Sequence, residues 1–144
     1  MRTGYFLLHA RLDVLRADPS ITITGAVEDT RPYIVAADVV VVPLRTGGGT
    51  RLKLLEALSL QAPLVSTTLG AEGFPVMHNR ELLLADDAAA FARAVSELLL
   101  NRAHANILGQ AGRSFAVAHY DWRTIVPMFE EVYQSPMRSF TAPL

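Results

Sequence analysis

The spacing of apolar residues along this chain switches repeatedly between extended runs and helical repeats. Over residues 4–17, Leu8, Leu12 and Leu15 recur at i, i+4 and i+7, which predicts a helix ended by Asp18-Pro19-Ser20. Ile21-Thr22-Ile23-Thr24 is a β-branched run stopped by Gly25 and predicts a short strand. A brief helix follows over 31–37, with Thr30 placed to cap it and Pro32 in its first turn. Val39-Val40-Val41-Val42 is a continuous β-branched run closed by Pro43, the pattern of a strand buried on both faces.

Beyond a loop over 45–49, a helix is predicted over 50–60 and a strand over 63–67. A weaker strand follows over 81–84. Three helices finish the chain, over 87–100, 103–119 and 122–134. Their core faces are read as Phe91, Val95 and Leu98, then Leu108, Ala111 and Phe115, then Trp122, Ile125 and Phe129. Residues 135–144, with two prolines, read as a frayed tail.

Strands alternating with helices imply an α/β fold, a Rossmann-like parallel sheet flanked by helices with a helical C-terminal segment, binding ligands at the carboxyl ends of its strands. Such a sheet normally opens on a strand, whereas this one opens on a helix. Residues 1–20 are therefore expected to be the remnant of a truncated βα unit, with Tyr5-Phe6-Leu7-Leu8 as a first strand being the alternative. The binding domain is expected over 21–134.

Composition narrows the function classes. The chain has 144 residues, 51% hydrophobic and 19% charged, enough for one domain with a core. A formal charge of -1 supplies no basic field for nucleic acid. There are no cysteines, so disulfides and thiolate metal sites are excluded, in keeping with a reducing compartment. His9, His78, His104 and His119 are scattered without metal-ligand spacing. No stretch approaches the ~18 apolar residues of a membrane span, and a cytoplasmic location is expected.

The chemistry-bearing segment is Pro43-Leu44-Arg45-Thr46-Gly47-Gly48-Gly49-Thr50-Arg51-Leu52-Lys53-Leu54-Leu55-Glu56-Ala57. A buried strand runs through three glycines into a helix. Such a run is entropically unfavourable unless the backbone must approach something closely. The helix tip, already positive, is surrounded by Arg45, Arg51 and Lys53 rather than by acids. A bound diphosphate would relieve that repulsion. The other reading leaves the side chains in water at about a few tenths of a kcal/mol each.

Glu56 lies about 40° from Leu52 and about 60° from Ser59 on the helical wheel, beside an apolar stripe of Leu52, Leu55 and Ser59. It either pairs with Lys53 at i-3 or accepts hydrogen bonds from vicinal hydroxyls such as those of a ribose. Geometry alone does not choose between them. Glu72, between Gly70 and Gly73 in the loop after the next strand, should emerge on the same sheet edge, facing a ligand or solvent. Asp86-Asp87 is read as capping the next helix.

The segment 45–57, with Ala62-Pro63-Leu64-Val65-Ser66-Thr67 and Gly70-Ala71-Glu72-Gly73, resembles the donor-binding signature of retaining glycosyltransferases with the two-Rossmann-domain (GT-B) fold. Gly25-Ala26-Val27-Glu28-Asp29, Ala36-Ala37-Asp38-Val39-Val40-Val41-Val42-Pro43 and Tyr120-Asp121-Trp122 are similar to the family's flanking elements, so the resemblance covers 21–133. It implies the C-terminal half of that fold and a nucleotide-sugar donor as substrate, with no metal or other cofactor. Glu56 would correspond to the second glutamate of the family's Glu-x7-Glu pattern, which binds the donor ribose. The first would fall at residue 48, which here is Gly48.

By the same resemblance, the amides of Gly48, Gly49, Thr50, Arg51 and Leu52 would face the donor phosphates or sugar. Arg51 or Lys53 would add cationic contacts, and Arg45 and Glu72 would border the site. The family's basic pair for the diphosphate and its acceptor-binding N-terminal domain lie outside the matching region. Little turnover by this chain alone is expected. A non-catalytic anion-binding module and one subunit of a split transferase are the competing readings. A receiver-type regulatory domain fits less well, because its acidic pair follows the first strand whereas Asp86-Asp87 comes late.

Overall fold

The computed structural model describes residues 15–139, as backbone only beyond Tyr133. The chain divides after Thr30 into two units. In the described part of the first, Leu15 and Arg16 are helical and the rest is irregular: Asp18 Oδ1 accepts from the Ser20 amide at 2.9 Å and from its hydroxyl at 2.7 Å, and Gly25 turns at φ 70°. The strand expected at Ile21–Thr24 is not formed. β-Branched residues favour extended backbone but make a strand only when a neighbour completes the ladder. Among the described residues none does. The expected helix over 4–17 falls almost wholly outside the described residues, as does Tyr5–Leu8.

The second unit runs α1 (Arg31–Ala36), β1 (Val40–Val42), α2 (Leu52–Ser59), β2 (Leu64–Ser66), a 3₁₀ turn (Leu69–Ala71), β3 (Leu83–Leu84), α3 (Ala88–Leu100), α4 (Arg102–Tyr120) and α5 (Trp122–Ser139). The strands are parallel in the order β1-β2-β3, with Val41 opposite Val65 and Val65 opposite Leu83. Parallel neighbours require crossover helices, and α2 supplies the one between β1 and β2. The fold is thus a Rossmann-like parallel sheet flanked by helices.

β2 is central and buried throughout, as a two-sided parallel strand should be. β1 is not. Val41 is 45% exposed, because β1 is the edge of the described sheet and has a neighbouring strand on one side only.

The core is apolar and continuous with the sheet. Val42, Leu54, Ala57, Leu58, Leu64 and Leu82 pack with Phe115 and Ala116 of α4 on one side, and Val65, Leu83, Leu98 and Leu108 cluster on the other. Each buried leucine or valine contributes about 1.5–3 kcal/mol relative to exposure.

Two glycines let α4 come close. A Cβ on Gly109 would sit 2.5 Å from the Gln61 carbonyl oxygen, and one on Gly112 would sit 2.7 Å from Leu58 Cδ2. Gln61 itself is left-handed, at φ 62°.

Two helical faces differ from expectation. α2 buries Leu54, Ala57 and Leu58, not Leu52, Leu55 and Ser59; the expected stripe lies about 140° around the axis. In α5, Trp122 is 74% and Phe129 57% exposed, so only Ile125 of the expected trio is even half-buried. That helix continues to Ser139, so residues 135–139 are helical rather than a frayed tail, while 140–144 lie outside the described residues.

Candidate functional site

Three loops leave the carboxyl ends of β1, β2 and β3, and side chains stitch them together. The Thr67 hydroxyl donates to the Leu44 carbonyl at 2.6 Å and accepts from the Gly70 amide at 3.0 Å, joining the loops after β1 and β2. Gly70 has no room for a side chain: a Cβ would meet Ser66 Oγ at 2.5 Å and the Val42 carbonyl at 2.8 Å. Asp86 then joins the loops after β2 and β3 through the amide and hydroxyl of Thr68. The capping expected of the Asp86-Asp87 pair belongs to Asp87 alone, whose carboxylate accepts from the Ala90 amide at 2.8 Å.

The glycine loop follows β1. Gly47 and Gly49 adopt φ 124° and 92°, values reached without strain only by glycine. No described atom lies within 4 Å of where a Cβ on Gly47, Gly48 or Gly49 would stand. The loop therefore needs Gly47 and Gly49 for backbone shape, and the space around all three glycines is open. It ends at the tip of α2, where among the described residues no side chain caps the helix.

Arg51 stands at that tip and is only 5% exposed. Its guanidinium donates to the carbonyls of Gly49 at 2.8 Å, Gly47 at 2.9 Å and Leu69 at 3.1 Å, and reaches Glu72 Oε2 at 3.4 Å. The structure thus places Arg51 and Glu72 together, and the Glu72 loop on the same edge as the glycines. One of the three cations read around this helix end is turned into the protein. Lys53, Arg45 and Thr50 stay exposed, as does Leu52 at 65%.

Glu56 is half-buried and engaged within the protein. It lies well over 90° round α2 from the buried stripe, so it looks away from the sheet. There Leu52, Leu55, Glu56 and Ser59 form one wall of a cavity of about 710 Å³. The opposite wall comes from the C-terminal half of α4 and its junction with α5, including Arg113, Val117 and Tyr120. Tyr120 is held edge-on to Phe74 at 5.3 Å, and the Arg113 guanidinium donates to the Ser59 carbonyl. The apolar stripe assigned to the core from sequence is therefore a cavity wall.

Arg45 borders a different, smaller cavity of about 200 Å³ at the strand ends, with Thr67, Asp86 and Phe91. Arg45 and Glu56 are not brought to one cavity.

Two buried or bonded groups carried no sequence signal. Glu81 is 5% exposed; it accepts from the Met77 amide at 2.8 Å and pairs with Arg80. His78 Nδ1 accepts from the Leu84 amide at 2.9 Å, which fixes the loop before β3.

Residues 7–101 match the family profile described as Glycosyl transferases group 1. The chain belongs to that family. Among group 1 glycosyltransferases it is 32% identical, over 115 residues, to the GDP-mannose-dependent alpha-(1-6)-phosphatidylinositol monomannoside mannosyltransferase of Mycobacterium tuberculosis, a match covering 73% of this chain and 30% of that protein. An uncharacterized 44.6 kDa protein of the Klebsiella pneumoniae cps region is 29% identical over 83 residues, covering 58% of this chain and 21% of the other.

In three dimensions the chain superposes on sucrose-phosphate synthase from Thermosynechococcus elongatus with a TM-score of 0.76 and 26% identity, covering 92% of this chain and 34% of that one. The chain spans about a third or less of the length of these relatives. Its sheet and helices are those of a C-terminal GT-B domain. No helix among the described residues is long and apolar enough to cross a membrane.

Proposed function

We propose that this chain binds the nucleotide-sugar donor of a glycosyl transfer. The observation that carries the reading is the alignment of two features on one helix. An open glycine loop meets the uncapped tip of α2, and Glu56, one turn further on, faces a cavity of about 710 Å³. Sites of that size commonly hold small organic ligands.

In this reading the diphosphate sits on the amides of Gly48, Gly49, Thr50, Arg51 and Leu52, where the helix dipole favours negative charge. Lys53 adds a point charge, and the Glu56 carboxylate accepts from the ribose hydroxyls. Arg45 and Glu72 border the approach. Charge develops on the departing diphosphate as the sugar leaves, so donors aimed there favour transfer.

Transfer to an acceptor hydroxyl, with retention as the family resemblance implies, needs a second domain or partner chain to orient the acceptor and exclude water. Little turnover is therefore expected from this chain alone. GDP-mannose is the first donor to test, because a relative at 32% identity is named for its use.

Calorimetric titration with GDP-, UDP- and ADP-sugars, on the wild type and on Glu56→Ala and Lys53→Ala, tests the proposal. One nucleotide class should bind, and both variants should bind it more weakly while remaining folded. No binding by the wild type to any of the three would refute it.

A further inference from the structure

The Arg51 side chain has no part in the donor contacts just described, yet it is the most buried cation of the described chain. Two of its acceptors, the Gly47 and Gly49 carbonyls, belong to the two glycines of the loop with positive φ. The other two, the Leu69 carbonyl and the Glu72 carboxylate, come from the turn after β2. A guanidinium can serve several acceptors at once because its donors form a rigid planar fork.

A trans peptide unit fixes its N–H opposite its C=O. When Arg51 holds the Gly47 carbonyl, the Gly48 amide must point the other way. When it holds the Gly49 carbonyl, the same is true of the Thr50 amide. Both residues are exposed, and the space around Gly48 is open. A loop of three glycines would otherwise sample many conformers, and ordering it on binding would subtract from affinity.

We infer that Arg51 is a positioning residue: it aims the Gly48 and Thr50 amides outward at the donor's anionic group and locks the glycine loop to the Leu69–Glu72 turn as one body. The inference rests on the donor-site reading of the glycine loop. It also singles out, from the five amides of that reading, the two that Arg51 orients. A charge-only role for Arg51 is the competing account, and Lys at this position separates the two: lysine keeps the charge but not the fork.

The test is an amide and guanidinium NMR experiment on the wild type and Arg51→Lys, with and without GDP-mannose. In the wild type, donor should shift the Gly48 and Thr50 amides and leave the Arg51 Nε–H, which is bonded to Leu69, in place. In ligand-free Arg51→Lys, order parameters at Gly48 and Thr50 should fall from about 0.85 toward 0.6 or below, together with those of 69–72. Affinity should fall about tenfold or more.

A donor-induced shift of the Arg51 Nε–H, with undiminished affinity in Arg51→Lys, would overturn the positioning role and leave the donor site standing. A wild type that binds no nucleotide-sugar would overturn both. The wild-type titration needs no variant, so an unstable Arg51→Lys does not block the test.

Discussion

Thr68 grips Asp86 twice: its amide donates to Oδ1 at 2.8 Å and its hydroxyl to Oδ2 at 2.7 Å. Both bonds favour the ionised carboxylate. The hydroxyl bond first, and the amide bond second, hold Asp86 below the ordinary carboxylate range. The two residues lie on different loops, so ionisation of Asp86 strengthens the tie between the loops after β2 and β3.

The sign of the pH dependence follows. A depressed folded value means the tether contributes its full stability above the unfolded value of about 3.9 and loses it as pH falls through the folded value. An NMR titration of the Asp86 carboxyl carbon, read alongside the Thr68 amide, should give one shared midpoint below about 3.9. A midpoint at or above that unfolded value would show that the tether does not form in solution.

Glycine substitutions should separate shape from space. Gly109→Ala drives a methyl into the Gln61 backbone oxygen, which cannot step aside, and should destabilise the protein by about 1–3 kcal/mol. Gly49→Ala meets no neighbour but forces alanine to φ 92°, at a cost of about 1–2 kcal/mol. Gly48→Ala meets neither obstacle and should stay within about 0.5 kcal/mol of wild type. Urea unfolding of the three variants measures the order.

Trp122→Ala separates the observed α5 from the expected one. Were Trp122 core, its loss would cost about 3–5 kcal/mol. At 74% exposure it should change stability by no more than about 0.5 kcal/mol. Leu58→Ala, at a fully buried position touching α4, should cost about 2–5 kcal/mol in the same assay.

The sequence made the order of elements in the second unit readable because each carries its own period. Val40–Val42 and Leu64–Ser66 are short and β-branched or apolar, and Phe91, Val95 and Leu98 repeat at helical spacing. The phase of α2 was not readable. Leu52, Leu54, Leu55, Ala57 and Leu58 place apolar groups nearly all round the helix, so two stripes compete and only tertiary packing decides which meets the sheet. Glu56 is singled out in the sequence by its place in the motif, whereas the cavity it lines carries no sequence signal.

Gly109 and Gly112 look in sequence like weak points of a helix, and prove to be where α4 touches Gln61 and Leu58. Arg51 reads as a surface cation by type and spacing, since nothing local marks acceptors 18 and 21 residues away. Ile21–Thr24 shows the opposite failure, a local preference with no described neighbour to complete it.

Glu56 and the ribose hydroxyls carry the central claim, and a thermodynamic cycle addresses them directly. Affinities of wild type and Glu56→Ala would be measured by calorimetry for GDP-mannose and for its 2′,3′-dideoxyribose analogue. Hydrogen bonds to a charged group are worth about 1.5–3 kcal/mol, or roughly ten- to a hundredfold in affinity. The wild type should therefore prefer the natural donor by about that factor, and Glu56→Ala should lose the preference while unfolding at the same temperature. An equal preference in both proteins would place the ribose elsewhere and contradict the account.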